Sequence, residues 1–194
     1  MKSKIKTIVL ALMLTTINLV ANAAGSTYMM ETRTSKPYHY LHIVGNLDVK
    51  IEQSAEPGVV VDGSKFQVYN TISILRDDTL FVYQTNVRKV DAKTNVLIRV
   101  DNLSLLEVKG DTKVDCSGLI NSDMLMVRAS DGAQIKIDVR ALKVDSKATG
   151  CSHIDISGTS ASAVEDVDGC GTIDSHLLDV MDKKTPDDIL CVEC

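Results

Sequence analysis

From residue 38 onward, apolar and polar side chains alternate in short segments with a period of two. Examples are 47–51, 96–100 and 135–139, in which Val, Ile and Leu fall on one face and charged residues on the other. This alternation is typical of half-buried strands. Gly, Asn and Asp separate the segments at 45–46, 62–63, 77–78, 110–111, 131–132 and 150, where turns need residues that tolerate positive φ. The pattern predicts an all-β protein.

Glycine turns in the second half of the chain recur with a period near 20 residues. The segment 150–155 (GCSHID) is similar to 169–174 (GCGTID), and further copies begin at Gly132 and Gly110. A unit of strand, turn and strand with this length is typical of one β-solenoid coil, which buries its apolar face only by stacking on the next coil. Every aromatic residue precedes residue 84, and a narrow stack of parallel strands suits Val, Ile and Leu instead.

We therefore predict a single-domain right-handed parallel β-helix, or a closely related β-solenoid, over residues 38–178. The competing architecture is an antiparallel sandwich of hairpins, because its strands would alternate in the same way. Residues 24–37 are expected to form a flexible lead-in. Residues 179–194 are expected to form a charged tail that caps the last coil, since an open solenoid end exposes unpaired strand edges.

The first 23 residues have the organisation of a secretory signal peptide. Lysines within 1–6 precede an apolar run at 8–14, and small residues follow at 21–23, which predicts cleavage after Ala23. The alternative is an N-terminal membrane anchor, but a span needs about 20 apolar residues, and Thr and Asn interrupt this run. We expect an exported protein, in the periplasm, at the outer surface or outside the cell, with no stable membrane insertion after cleavage.

The charge distribution excludes some classes of partner. The formal net charge is −5, the predicted leader contains three of the lysines, and the remaining basic residues are scattered among acidic ones. Because phosphate binding needs clustered Lys and Arg, nucleic acid and anionic membrane surfaces are not expected partners.

The run 40–53 (YLHIVGNLDVKIEQ) resembles the opening of the bacterial "putative auto-transporter adhesin, head GIN domain" family, in which a strand and a Gly precede Asp-Val-x-Ile-x-Gln. The turns at Gly110, Gly132, Gly150 and Gly169 are similar to that family's recurring glycine coils, although Cys151 and Cys170 take small-residue positions. This resemblance covers about residues 38–178. It implies a secreted or envelope-exposed parallel β-helix, and the family's name suggests adhesion, although a shared fold does not establish function.

Five cysteines in an exported chain are expected to meet oxidising conditions. Cys151 and Cys170 occupy the same position in successive coils, so stacking would place them at the inter-strand spacing of about 4.8 Å, and they either form a disulfide or lie as stacked thiols. Cys116 is expected to be a buried thiol. For Cys191 and Cys194 at the end of the chain, a terminal disulfide or a flexible tail is favoured over a redox site, since no helix is expected there to lower a thiol pKa.

No catalytic, cofactor-binding or metal-ligating set stands out in the sequence. The four histidines lack the spacing of a zinc site, and no Gly-x-Ser-x-Gly elbow is present. Asp155 and Asp174 share one position in successive coils and are expected to form an outward acidic ladder on the surface.

We predict a non-enzymatic exported module that contacts protein or glycan at the cell surface, with an unidentified ligand. The alternative is a carbohydrate-active enzyme that uses the outward aspartates, because glycoside hydrolysis needs paired carboxylates. A purely architectural envelope protein is a third hypothesis.

Overall fold

Extended strands make up nearly all of the regular structure in the computed structural model, which describes residues 16–18, 28–34, 36–85 and 93–183. The strands are β1 (Thr16–Asn18), β2 (Tyr28–Thr34), β3 (Tyr40–Val44), β4 (Leu47–Gln53), β5 (Gly58–Ser64), β6 (Thr71–Arg76), β7 (Thr79–Gln84), β8 (Thr94–Val100), β9 (Leu105–Lys109), β10 (Lys113–Ser130), β11 (Gln134–Thr149), β12 (His153–Asp168) and β13 (Thr172–Lys183). The helix of this described part is α1 (Lys65–Asn70). The all-β class predicted from the sequence is confirmed.

The second half of the chain forms a stack of long parallel strands. β10 pairs with β11, β11 with β12, and β12 with β13, all parallel. One inward row runs through the stack from Val49 to Val114, Ile135, Ile154 and Ile173. Burying each such side chain contributes about 1.5–3 kcal/mol, so this row of like residues stabilises the stack.

The burial alternation shifts partway along β11, and β10 changes partner partway along its length, so the sheet divides into two walls around the core. In β11, Ala141 and Val144 are both buried, whereas Leu142, between them, is 65% exposed, so the alternation shifts at this corner. Before the corner, β10 pairs with β4; after it, β10 pairs with β9. The first wall continues through β4, β8, β5 and β2, and the second through β9, β3, β7 and β6.

The sheet is mixed, so a parallel coil over all of residues 38–178 is too broad a prediction. β5 pairs antiparallel with β2 and β8, and β6 pairs antiparallel with β7. The reason at β6–β7 is local, because the tight turn at Asp77, with φ of 52°, reverses the chain and leaves no length for a crossover. The hand of the coil in β10–β13 stays a prediction.

Two local predictions are wrong. Part of the expected flexible lead-in, Tyr28–Thr34, forms β2, where Met29 is 4% exposed and the backbone pairs with β5. The turn expected at 62–63 lies inside β5, because Asp62 and Gly63 continue the pairing with β2. The remainder of the expected signal peptide and lead-in, apart from Thr16–Asn18 and residues 36–37, lies outside the described residues, as does the tail after residue 183.

Candidate binding surface

The structure places Cys151 and Cys170 side by side at the turns of successive coils. Their sulfurs form a disulfide, with 4.6 Å between the Cα atoms. Cys116 is a free buried thiol, as predicted, and burial raises its pKa. Cys191 and Cys194 lie outside the described residues.

Asp155 and Asp174 are paired in register on β12 and β13, on the outer side of the first wall. Asp155 also faces Lys136, whose Nζ lies 3.6 Å from its carboxylate, and Lys136 is paired in turn with Asp115. A hydrogen bond with His176 lowers the pKa of Asp174. Along this row Asp115, Lys136 and Asp155 alternate in charge, and Asp174 follows Asp155 as a second consecutive acidic residue. Lys136 contacts Asp155, and His176 contacts Asp174.

No group of three or more metal-ligating side chains converges within the described ranges. The histidines pair instead with single neighbours: His39 with Asp78, His42 with Glu107, His153 with Thr172 and His176 with Asp174. Among the helices that the structure describes, none has the length and apolar character to cross a membrane.

The second wall carries an outward cluster of aromatic and apolar side chains that the sequence analysis missed. Two of its strands, β3 and β7, turn their other faces into the core, where Leu41, Ile43, Leu80 and Val82 are almost completely buried. Strand pairing places Phe81 beside His42 and Ile74, and Tyr83 beside Val44 and Ile72. We call this cluster the aromatic patch; its members are Tyr40, His42, Val44, Ile72, Ile74, Phe81 and Tyr83.

The patch is partly open to solvent and slightly concave. Tyr40 is 37% and Val44 44% exposed. Beside them, Ile74, Arg76, Phe81 and Tyr83 line a depression of about 170 Å³. Aromatic faces in an open depression can pack against an apolar partner surface while the phenol hydroxyls hydrogen-bond at its edge.

An ion-pair cluster fixes one side of the patch. The His42 ring stacks on Phe81 with 5.1 Å between centroids and 21° between planes, and its Nδ1 lies 2.8 Å from a Glu107 oxygen. Lys109 donates to the other Glu107 oxygen at 2.7 Å. Burial alone would raise the pKa of Glu107, but the Lys109 hydrogen bond and the charges of His42, Lys109 and Arg128 together lower it. The Phe81 ring is therefore held between an aliphatic residue and an oriented imidazole.

The cluster was missed because its members come from three strands whose order depends on pairing between distant parts of the chain. Two signals in the sequence pointed to it: all aromatics lie before residue 84, and those at 81 and 83 share one parity in a strand.

A family model described as "Putative auto-transporter adhesin, head GIN domain" matches residues 37–184. No curated protein matches the chain. A crystal structure of a "putative adhesin" from Bacteroides fragilis NCTC 9343 has a TM-score of 0.73 and 18% identity, covering 81% of this chain and 75% of that chain.

Two Parabacteroides distasonis ATCC 8503 structures are also similar. The first, a "putative adhesin", has a TM-score of 0.64 and 16% identity over 82% of this chain and 78% of its own. The second, a "putative lipid binding protein", has a TM-score of 0.59 and 16% identity over 80% and 77%. At these identities the likeness shows a shared fold.

Proposed function

Because the chain belongs to the family described as "Putative auto-transporter adhesin, head GIN domain", we propose that it is an exported, non-enzymatic module that binds a glycan through the aromatic patch. Export is inferred from the signal-like order of residues 1–23, and contact at the cell surface from the adhesin-like family. A right-handed coil for β10–β13 belongs to the same proposal, since right-handed connections dominate between parallel strands.

The observation that carries the choice of ligand is the depression in which Tyr83 lies beside Phe81, flanked by polar groups. A pyranose ring has an apolar C–H face and a rim of hydroxyls, so it can stack on an aromatic ring while its rim hydrogen-bonds to neighbours. His42, Glu107 and Arg76 provide donors and acceptors at the edge of this patch. A patch with this mixture suits a sugar better than a purely apolar partner.

The size of the patch also favours a glycan over a protein. It spans three strands and about five residues along each, so strand spacing and rise give an area on the order of 200 Å². A stable protein interface buries about 800 Å² on each partner. One or two sugar rings would cover the patch, whereas a protein partner would need additional surface.

The alternative of a carbohydrate-active enzyme receives no support from the outward aspartates. A general acid for glycoside cleavage needs a carboxyl pKa that is raised. In Asp174 the hydrogen bond with His176 shifts the pKa in the opposite direction. Asp155 faces Lys136 on the neighbouring strand, and neither aspartate lines the depression in the aromatic patch.

A glycan microarray probed with the exported chain tests the proposal. We expect the wild type to retain specific neutral glycans and the double variant Phe81→Ala/Tyr83→Ala to lose them. Tyr69→Ala is the matched control, because Tyr69 is 59% exposed but lies on α1, outside the patch. Equal retention by the wild type and the double variant would contradict the role of the patch, and release of shortened glycan products would contradict the non-enzymatic assignment.

A further inference from the structure

A shallow cleft lies at the corner of the stack, away from the aromatic patch. Its volume is about 450 Å³, and its lining includes Gln53, Asn102, Asn121, Asp123, Arg140 and Leu142. The cleft is built where the end of β4 meets the bends of β10 and β11, so several chain segments contribute to it. Its volume lies within the range of about 300–1,000 Å³ that small-molecule sites occupy.

The floor of the cleft is fixed by a side-chain amide. Gln53 Nε2 donates to the carbonyl oxygens of Asp101 and Asn121 at 2.9 and 3.0 Å, and its Oε1 accepts from the Asn121 backbone and side-chain amides at 2.9 and 3.2 Å. These four bonds orient Asn121 and hold β4 against the bend of β10. A site that is held in this way needs little ordering when a ligand binds.

Several other polar groups of the cleft are left unused. No side-chain hydrogen bond or ion pair is made by Arg140, Asp123 or Asn102 among the residues that the structure describes. Elsewhere on the stack, opposite charges pair across strands, as Lys147 does with Asp166 at 2.5 Å. A guanidinium, a carboxylate and an amide that line one cleft without pairing are available to a ligand.

We propose that this corner cleft binds a carboxylate-bearing sugar, namely a hexuronate unit of an acidic glycan. The planar Arg140 fork matches a carboxylate with two parallel hydrogen bonds. Asp123 accepts from sugar hydroxyls, and the amides of Asn102 and Asn121 donate and accept. The exposed Leu142 side chain, at 65%, covers the C–H face of the ring. The proposal depends on the proposed function only in taking a glycan as the ligand class.

Titration of the ¹⁵N-labelled exported chain with trigalacturonate, followed by NMR, tests this site. The neutral comparison ligand is the methyl ester of the same trisaccharide. We expect the Arg140 Nε–H and Asn121 side-chain signals to shift with the acid only. Arg140→Gln should weaken binding at least about tenfold, since a charge-assisted hydrogen bond is lost. Arg140→Lys should weaken it less, because the charge is kept and the fork is lost.

Lys143→Gln is the matched control, because it removes the same charge from the same strand at a residue outside the cleft. It should leave affinity within about twofold of the wild type, as expected for a charge that makes no direct contact with the ligand. Three results would each overturn the proposal. The first is that the methyl ester binds as tightly as the acid, and the second is that Lys143→Gln loses as much affinity as Arg140→Gln. The third is that the cleft signals do not shift at about 10 mM trigalacturonate, a concentration well above a millimolar Kd. The variant Phe81→Ala/Tyr83→Ala should leave the response of these signals to trigalacturonate unchanged. The corner cleft and the aromatic patch can therefore be refuted separately.

Discussion

Gly158 is the position where the close stacking of β11 and β12 can be tested with one added carbon. It has φ of +109°, and it is paired in register with Val139. A Cβ at this position would lie 2.0 Å from the Val139 carbonyl oxygen and 2.8 Å from the Val139 nitrogen. Because both atoms belong to the neighbouring backbone, no side-chain rotation can relieve the clash, and Gly158→Ala must separate the strands locally.

Gly118 provides a control for the backbone strain alone. It also has positive φ, +82°, but among the described residues a Cβ there would meet no atom within 4 Å. An L-residue at either φ costs about 1–3 kcal/mol. At Gly158 the carbonyl must also retreat by about 1.3 Å to reach an ordinary C···O distance. That displacement breaks a ladder hydrogen bond and leaves a buried group unsatisfied, an additional cost of about 2–4 kcal/mol.

Equilibrium urea unfolding followed by circular dichroism measures this difference. We expect Gly158→Ala to lower the free energy of unfolding by at least about 2 kcal/mol more than Gly118→Ala does, with a Tm about 4–8 °C below that of the control. A Gly158→Ala chain that does not fold, beside a folded Gly118→Ala chain, agrees with this expectation. If the two variants agree within about 0.5 kcal/mol, an ordinary error of additivity, the close approach of β12 to β11 is wrong.

Three further predictions address other contacts. Tyr38→Phe should lower the free energy of unfolding by about 1–2 kcal/mol, because the buried Tyr38 hydroxyl donates to the Arg99 carbonyl at 2.8 Å; an unchanged urea midpoint would contradict this. Glu107→Gln should destabilise the protein by about 1 kcal/mol or less at pH 7. Since the folded-state pKa of Glu107 is lowered, its stabilisation is present above the unfolded-state pKa and lost as the pH falls through the folded-state pKa. The difference between variant and wild type should therefore begin to shrink as the pH falls below the ordinary value of 4.5 and should vanish below the folded-state pKa. A difference that does not shrink as the pH is lowered would refute the ion pair. Peptide mapping without reduction should recover Cys151 linked to Cys170, and replacing both by Ser should cost about 3 kcal/mol; recovery of two free thiols from protein produced under oxidising conditions would contradict the disulfide.

The stacked coils could be predicted because their information is local and repeated. Ile135, Ile154 and Ile173 recur in similar surroundings, each after a glycine turn and within an alternating strand, and the structure places them in one row. Because each coil has to bury the same face against the next, the repeat alone predicts which strands pair. The pairing of Asp155 with Asp174 follows from the same register.

The first half of the chain lacks this repetition, so its strand order could not be read in the same way. β4 pairs with β8 and β10, although β5, α1, β6 and β7 come between β4 and β8 in the chain. Which strands become neighbours depends on how well distant segments of the chain pack against one another. The alternation of apolar and polar residues within one strand carries no information about that choice. The bend at Leu142 was hidden for a related reason, because a corner changes which face is inward without changing the composition of the strand.

The most direct test of the account is the site at which a retained glycan contacts the protein. Chemical-shift mapping with a neutral glycan retained on the microarray should perturb the signals of Phe81, Tyr83 and the adjoining residues of β3. Perturbations confined to α1 or to the first wall, with the aromatic patch unaffected, would contradict the assignment of this patch as the contact surface.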